Sequence, residues 1–390
     1  MAAVAAGAVL LTGGCTSDEP SAGKPGASGS HRQDDARQLA AITTPASGSK
    51  GVSAATDIAF TTEHATGATV QVTDDKGATV AGAMLADGKT WRPDKALAYA
   101  TTYTATVTVT GDDGRTGTAV STFTTMPRPT NLVRVSSFLG DGQVVGVGMP
   151  MIVRFGQGVP QQYRADVQRR MTVTTTPPQV GIWHWVSPTE VRYRPQSYWQ
   201  AGTKVSYKVQ LAGVQMGDNA YGRSDLTVDL KIGRSFVMAV DNKTKRMTVR
   251  QDGKVVKTIP VSLGKKSTPS SSGTMVVIEK KRKTVFDTLE ELGPDEGYRT
   301  KIDYAQRLTW GGEFIHAAPW SEGVQGRVNV SHGCVNVSMK MGAWLFSRTM
   351  IGDPITVKGT SRKLQNGNGW TDWNMSWDEY QKGSALPLGE

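Results

Sequence analysis

The sequence predicts a mainly β protein: two tandem β-sandwiches of immunoglobulin-like size, then a third β-rich domain with a short helix, and a C-terminal extension. Two observations support this fold class. Short runs of alternating apolar and polar residues recur along residues 46–232, separated by turns rich in Gly and Asp. The pattern around Arg92 and Pro93 returns at Arg194 and Pro195, a period of about 100 residues that fits tandem sandwiches.

The N-terminal segment is predicted to be a signal followed by a tether. Residues 1–15 form a short apolar run that ends in small residues and Cys15, which resembles the end of a bacterial lipoprotein signal. The resemblance implies that Cys15 is lipidated, so we expect the chain in the extracytoplasmic cell envelope, lipid-anchored to the outer face of the cytoplasmic membrane. Residues 16–45 are rich in Ser, Gly, Ala, Asp and Pro and are predicted to be a disordered tether.

Residues 46–127 and 128–232 are predicted to be the two immunoglobulin-like domains, which we expect to act as spacers. In the first, apolar residues alternate with threonines before Asp113 and Gly114 supply a hairpin turn. Neither domain contains a cysteine pair, so only the sandwich architecture is implied. The second holds three tryptophans that we assign to its core, with sugar or wall binding as the alternative: Trp183, Trp185 and Trp199.

Residues 233–358 are predicted to form the third domain. It begins with an antiparallel meander over residues 236–240, 246–250 and 255–261. A helix is predicted from residue 338 to 346, with Ser338 as its N-cap. The extension, residues 359–390, carries tryptophans that are too apolar to remain in water, so it is expected to pack back on the folded body.

Charge and composition narrow the choice of partners. The chain has 44 basic and 34 acidic residues, a net charge of +10, which fits anionic surroundings such as wall polymers or lipid headgroups. No basic run with interleaved aromatic residues is present. We therefore expect no nucleic-acid partner.

One cysteine and two histidines mark the candidate site. Cys334 is the only cysteine besides Cys15, and two of the five histidines, His316 and His332, lie close to it in the sequence. A cysteine becomes a nucleophilic thiolate near neutral pH only beside a base or a positive charge. Gly333 lets the backbone turn sharply just ahead of the sulfur. The pattern indicates a cysteine-nucleophile site.

Three other readings of this cluster compete. Cys334 could be a buried structural cysteine beside satisfied histidines. His316, His332 and Cys334 could bind zinc, but a fourth ligand type is missing nearby and a ligating cysteine would be unavailable as nucleophile. A papain-like protease has its cysteine before its histidine, whereas His316 comes first here. No metal and no organic cofactor are expected.

The spacing of His316 from the run Ser331, His332, Gly333, Cys334, Val335 and Asn336 resembles the signature of L,D-transpeptidase catalytic domains, which cross-link peptidoglycan. Residues 260–269 and 297–300 look like the leading strands and active-site flap of that family. Residues 372–377 look like the C-terminal extension of its larger members. From about residue 130 to 385 the chain is similar to the type with two immunoglobulin-like domains.

The residues themselves assign roles for acyl transfer. Cys334 attacks a carbonyl and His316 takes the thiol proton. The backbone N–H groups of Gly333 and Cys334 are the candidate oxyanion donors. His332 and Asn336 are expected to orient this turn. Ser331 is expected to bond to His332 or to line the pocket.

The resemblance adds the substrate. It implies that the backbone carbonyl of Ala317 orients His316. It also implies that Tyr298 and Trp320, with a flap over residues 284–304, position the substrate chains, with Tyr298 as flap core being the alternative. The donor and acceptor partners are then peptidoglycan stem peptides: Cys334 is acylated by a tetrapeptide stem, D-Ala leaves, and the side-chain amine of a second stem completes a 3→3 cross-link. It also implies inhibition by β-lactams of the carbapenem type.

Two other functions remain open from the sequence. The same thiol could pass its acyl group to water, which would make the protein an L,D-carboxypeptidase. A wall-binding protein with a vestigial site is the second, although the complete set of site residues opposes it.

Overall fold

Extended strands dominate the computed structural model, which describes residues 39–287, 289, 293 and 299–389. These residues belong to one compact unit that begins at Leu39. The predicted lipidation site, Cys15, and the predicted pocket residue Tyr298 lie outside the described residues. Within the described part, no helix has the length and apolar character needed to cross a membrane. The prediction of a mainly β fold is confirmed.

The first sandwich packs two sheets face to face. Its strands are β1 (Ala40–Thr44), β2 (Ile58–Thr62), β3 (Ala65–Asp74), β4 (Gly82–Met84), β5 (Thr90–Pro93), β6 (Thr102–Gly111) and β7 (Thr116–Thr124). One sheet has the order β1–β2–β5–β4 and the other β3–β6–β7. Alternate residues of β6 point inward, so Tyr103, Val107 and Val109 are buried against Phe60 and Trp91, as the period of two in a strand requires.

The prediction of a tether as far as residue 45 is wrong at its C-terminal end. Ala40–Thr44 form strand β1, which pairs antiparallel with β2. Leu39 and Ala40 are buried in the core of the first sandwich. The short apolar run from Leu39 to Ile42 gains more from this burial than it loses in chain entropy.

The second sandwich is built around a larger aromatic core. Its elements are β8 (Leu132–Val133), β9 (Val135–Ser137), β10 (Val144–Val145), β11 (Met151–Phe155), α1 (Gln161–Gln168), β12 (Met171–Thr176), β13 (Gly181–Ser187), β14 (Glu190–Pro195), β15 (Lys204–Val209), β16 (Gln215–Gly217), β17 (Ala220–Gly222) and β18 (Leu226–Ile232). Its sheets have the orders β10–β18–β15–β12, β13–β14–β11–β9 and β16–β17–β8. Trp183, Trp185 and Trp199 are all buried, so they serve the core rather than a sugar site.

The described part of the third domain contains two sheets and a helix that follows the cysteine turn. Its elements are β19 (Phe236–Asp241), β20 (Arg246–Gln251), β21 (Lys254–Pro260), β22 (Ser271–Val276), β23 (Glu279–Asp287), β24 (Arg299–Arg307), β25 (Phe314–Ala317), β26 (Val335–Val337), α2 (Met339–Arg348), β27 (Pro354–Lys358) and β28 (Arg362–Lys363). The sheet orders are β21–β20–β19–β27–β22–β28 and β23–β24–β25–β26. The predicted meander is confirmed as β19, β20 and β21.

Helix α2 supports the sheet that carries the site. The Ser338 hydroxyl caps it by accepting a hydrogen bond from the Met341 N–H at 3.2 Å, which confirms the predicted cap. Gly342 of this helix approaches β25 so closely that a Cβ there would lie 2.9 Å from the Ala317 Cβ. The helix therefore presses directly on the strand that contains His316.

The C-terminal extension lies on the second sandwich. It contains helix α3 (Trp377–Gln381), preceded by a 3-10 turn at Asp372–Asn374. The Arg192 guanidinium forms a buried ion pair with Asp372 at 3.0 Å, and the Trp373 indole N–H donates to the Gly148 carbonyl at 2.7 Å. These contacts tie the end of the chain to residues 180 and 225 positions earlier in the sequence.

Candidate active site

Strand register brings the two reactive side chains into one cavity. Strands β25 and β26 pair in parallel, with His316 opposite Asn336. Cys334 lies two residues before Asn336, at the entrance to β26. His316 and Cys334 both line a cavity of about 440 Å³. Neighbouring strands thus unite residues from the two halves of the sequence motif.

The turn that carries the cysteine is held by a set of short hydrogen bonds. The Ser331 hydroxyl donates to the Cys334 carbonyl at 2.7 Å and accepts from the Gly333 N–H at 3.2 Å. The Ser270 hydroxyl donates to the Gly333 carbonyl at 2.6 Å. Gly333 has φ +129°, a conformation that residues with a Cβ rarely adopt. The glycine is therefore required by the backbone of the turn.

His316 is placed to act as a neutral base. The residue is 4% exposed, and Nδ1 lies 2.9 Å from the Ala317 carbonyl oxygen. A carbonyl oxygen can only accept, so Nδ1 carries the proton and Nε2 keeps its lone pair. Burial lowers the pKa of His316 to about 4, although the bond to Ala317 opposes that shift. The structure thus places the Ala317 carbonyl where the resemblance implies.

Cys334 is a buried thiol, 6% exposed. Burial raises its pKa to about 12, a backbone hydrogen bond with Phe314 opposes the rise, and the charge of Glu313 adds to it. The sulfur lies 3.7 Å from the Gly312 carbonyl oxygen, to which the thiol donates. At neutral pH the resting pair is an uncharged thiol and an uncharged imidazole. The thiolate must then form as the sulfur attacks.

Aromatic side chains form the walls of the cavity. Trp320 is 60% exposed, and its ring centroid lies 6.0 Å from that of His316. The Phe286 ring meets His316 edge-on at 5.4 Å. The residues lining the cavity are Phe286, Thr300, Ile302, His316, Trp320, Val330, Ser331, His332, Cys334 and Asn336. Phe286 was not singled out from the sequence, where only its place in the predicted flap pointed to the site.

His332 is exposed at the mouth of the cavity. Its Nε2 accepts a hydrogen bond from the Lys265 ammonium at 3.1 Å. The Lys265 backbone N–H donates to the Ser331 carbonyl at 2.8 Å. Two hydrogen bonds therefore join Lys265 to the cysteine turn. Sequence reasoning missed Lys265, because the residues that meet it come from a segment far along the chain.

Asn336 is buried behind the reactive pair, with 2% of its surface exposed. Its backbone pairs with Ser262, and its side-chain amide donates to the Ser321 hydroxyl at 3.4 Å. Its Oδ1 has no hydrogen-bond partner among the described residues. Asn336 also lines the cavity, but this oxygen itself is buried.

The two predicted oxyanion donors are not equivalent. The Gly333 N–H already donates to the Ser331 hydroxyl, so an oxyanion that used this group would have to displace Ser331. Ser331 bonds to its own turn, not to the His332 ring, and lines the cavity. The Cys334 N–H is the donor on which the prediction now chiefly depends.

The zinc alternative finds no support in this geometry. Among the residues that the structure describes, no three His, Cys, Asp or Glu side chains are grouped so that they could hold a metal ion. Nε2 of His332 instead faces the Lys265 ammonium.

Glu313 is a further buried group that sequence reasoning missed. It immediately precedes β25, is 6% exposed, and accepts hydrogen bonds from Ser271. No sequence pattern marked it, because Ser271 lies 42 residues earlier in the chain.

A histidine base and a cysteine thiol that line one cavity of about 440 Å³ define a cysteine acyl-transfer enzyme. The L,D-transpeptidase catalytic domain family matches residues 235–357, and the bacterial Ig domain family matches residues 49–215. L,D-transpeptidase 2 of Mycobacterium tuberculosis is 35% identical over 342 residues, covering 87% of this chain and 83% of the relative. L,D-transpeptidase 5 of the same species is 35% identical, covering 82% of this chain and 71% of the relative.

A solved structure of LD transpeptidase LdtMt1 in complex with imipenem is also similar. It has a TM-score of 0.50 and 35% sequence identity, and the match covers 60% of this chain and 100% of that one. The chain belongs to the L,D-transpeptidase family, and it is a transpeptidase with an immunoglobulin-like N-terminal region.

Proposed function

We propose that this enzyme forms 3→3 cross-links in peptidoglycan. The donor is a tetrapeptide stem, which acylates Cys334 through the carbonyl of its third residue, a diamino acid, and releases D-Ala. The acceptor is the side-chain amine of the third residue of a second stem. The single observation that carries the proposal is the convergence of the Cys334 thiol and the neutral His316 imidazole on one cavity of about 440 Å³.

Acylation requires two proton transfers, one from the Cys334 thiol to His316 and one from His316 to the leaving nitrogen. His316 Nε2 accepts the thiol proton as the Cys334 sulfur bonds to the stem carbonyl carbon. The oxyanion is stabilised by the Cys334 N–H. When the tetrahedral intermediate collapses, the bond to the D-Ala nitrogen breaks and His316 returns its proton to that nitrogen. The product is a thioester on Cys334 and free D-Ala.

Deacylation reverses these roles. The acceptor amine attacks the thioester carbonyl while His316 removes a proton from the amine nitrogen. The Cys334 thiolate then leaves and recovers that proton from His316. Trp320 and Phe286 supply apolar walls for the aliphatic part of the stems.

Water competes with the amine for the same thioester, which is the L,D-carboxypeptidase alternative. The test is mass spectrometry of the full chain incubated with a tetrapeptide stem. We expect a cross-linked dimer with the mass of two stems less one D-Ala. If a trimmed tripeptide were the only product, the activity would be hydrolysis and not cross-linking. Unchanged substrate would exclude both activities. Cys334→Ala is the control and must yield neither product.

We propose that the same protein binds carbapenems covalently. The relative in the similar solved structure is in complex with imipenem. A strained β-lactam ring needs only a reachable carbonyl, the sulfur and an oxyanion donor, because opening the ring supplies the driving force.

We also propose that the enzyme acts at the outer face of the cytoplasmic membrane, held by a lipid on Cys15. The net charge of +10 fits an anionic envelope. Wild-type protein should fractionate with membranes, and Cys15→Ser should release it or block its processing. Wild-type protein that is wholly soluble and has an unmodified N-terminus would overturn the anchor.

A further inference from the structure

A buried carboxyl group lies directly behind the nucleophile turn. Glu313 is 6% exposed, and a Cβ added to Gly333 would lie 3.6 Å from its Cγ. A negative charge costs free energy when it is buried, and here it also lies beside a sulfur that must become negative during catalysis. The acyl-transfer steps proposed above give Glu313 no role. Its position therefore requires a separate explanation.

Glu313 is the first member of a chain of contacts that ends at the cysteine turn. The Ser271 N–H donates to its two oxygens at 3.2 and 3.1 Å, and the Ser271 hydroxyl donates to Oε1 at 2.6 Å. The adjacent Ser270 hydroxyl donates to the Gly333 carbonyl at 2.6 Å and accepts from the Gly264 N–H at 2.9 Å. Because Ser270 and Ser271 are adjacent, the bonds that hold Ser271 also hold the Ser270 hydroxyl in place against Gly333.

Charged and titratable groups lie on two sides of Glu313. Burial raises the pKa of Glu313, while the bonds from Ser271 and the charge of Arg362 oppose that rise. Arg362 lies opposite Ser271, where β28 pairs with β22. On the other side, the titratable group is Cys334, and the Glu313 charge raises the pKa of its thiol beyond the effect of burial.

We propose that Glu313 is a positioning residue of the active site, which holds the nucleophile turn through Ser271 and Ser270 and adds its charge to the burial that keeps the resting Cys334 thiol uncharged. The inference rests on the proposed role of Cys334 as nucleophile. An uncharged thiol resists alkylation and oxidation between turnovers. That protection has value for a single thiol outside the cytoplasm, and proton removal is left to His316 when a carbonyl is present.

The test is the pH dependence of Cys334 alkylation by iodoacetamide in the full-length protein, read by mass spectrometry on the peptide that contains Cys334. Glu313→Gln retains an oxygen that accepts from Ser271 but removes the charge. Its alkylation midpoint should move to lower pH, and at pH 8 its alkylation should be on the order of tenfold faster, the change that one pKa unit produces. Ser271→Ala retains the charge and should not lower the midpoint.

Two results would overturn the proposal. Equal midpoints in wild type and Glu313→Gln would show that the carboxylate does not act on the thiol. An equal downward shift in Glu313→Gln and Ser271→Ala would show that the shift comes from loss of order in the cysteine turn and not from loss of the charge. If Glu313→Gln does not fold, a wild-type midpoint below the ordinary cysteine value of about 8.5 still contradicts the proposal. The assay uses no stem peptide, so its failure is distinct from failure of transpeptidation.

Discussion

At the scale of single residues, burial decides the chemistry of the reactive pair. It disfavours the charged form of both groups, which lowers the pKa of His316 and raises the pKa of Cys334. The pair is therefore uncharged at rest and forms charge only during attack. A catalytic cysteine of the opposite kind is a preformed thiolate beside a cation.

The His316 shift predicts a dependence of stability on pH. The unfolded chain binds a proton at this residue below about 6.5, whereas the folded protein binds it only below about 4. Between these values the unfolded state holds more protons, so the free energy of unfolding falls as the pH falls, by roughly 3 kcal/mol for this residue. Urea unfolding of wild type and His316→Gln at several pH values measures the difference. Parallel pH profiles for the two proteins would contradict it.

Inhibition provides a second prediction at this scale. A carbapenem such as imipenem should add one drug-derived mass per chain, located on the peptide that contains Cys334. Cys334→Ala, which has no sulfur at that position, should show no adduct. A label on a serine, or none on active enzyme at millimolar drug, would contradict the assignment of the nucleophile.

At the scale of secondary structure, the site depends on how closely α2 packs on β25. A methyl group at Gly342 would lie 2.9 Å from the Ala317 Cβ and 3.2 Å from its backbone N. Ala317 supplies the carbonyl that orients His316. Any displacement of Ala317 therefore moves the carbonyl that orients His316.

Gly342→Ala tests that packing. Alanine favours the helix by about 1 kcal/mol, but the clash costs about 1–3 kcal/mol, and displacement of Ala317 should lower turnover on the order of tenfold. Thermal unfolding and the rate of Cys334 acylation measure the two effects. Gly323→Ala is the control, because a Cβ there meets nothing within 4 Å. Full activity of Gly342→Ala would show that the contact does not matter.

Local patterns predicted individual elements but not the contacts between them. The meander and the Ser338 cap depend on residues close in sequence, and both are confirmed. Strand β1 was missed because its five residues follow a polar segment and form only by pairing with β2. Glu313 with Ser271, and Lys265 with His332, meet across 42 and 67 residues. A single sequence carries no local signal for such pairs.

At the scale of the whole molecule, the second sandwich and the catalytic domain share one body. Val276, Ile278 and Trp370 belong to the same buried cluster as the core of that sandwich. The Gly146 and Gly148 N–H groups donate to the Ile351 and Gly352 carbonyls at 2.8 Å. The first sandwich contacts the second through an ion pair of Asp57 with Arg170. The expected role as a spacer therefore fits the first sandwich better than the second.

The C-terminal extension closes this body through Asp372, which is 1% exposed and paired with Arg192. Asp372→Asn should lower the free energy of unfolding by about 3 kcal/mol, because removal of one partner leaves a buried charge less well paired. The exposed Asp378→Asn in the same extension is the control and should cost far less. Equal unfolding free energies for the two variants, measured in urea, would show that the buried pair does not hold the extension.

The central claim is that Cys334 is acylated by a stem peptide with His316 as its base, and intact-protein mass spectrometry with a tetrapeptide donor tests it most directly. Wild type should gain the stem mass less D-Ala on the peptide containing Cys334, with free D-Ala in solution. His316→Ala should acylate about 10²–10⁴-fold more slowly, and Cys334→Ala should not acylate. Release of D-Ala by Cys334→Ala, or wild-type acylation on another residue, would contradict the claim.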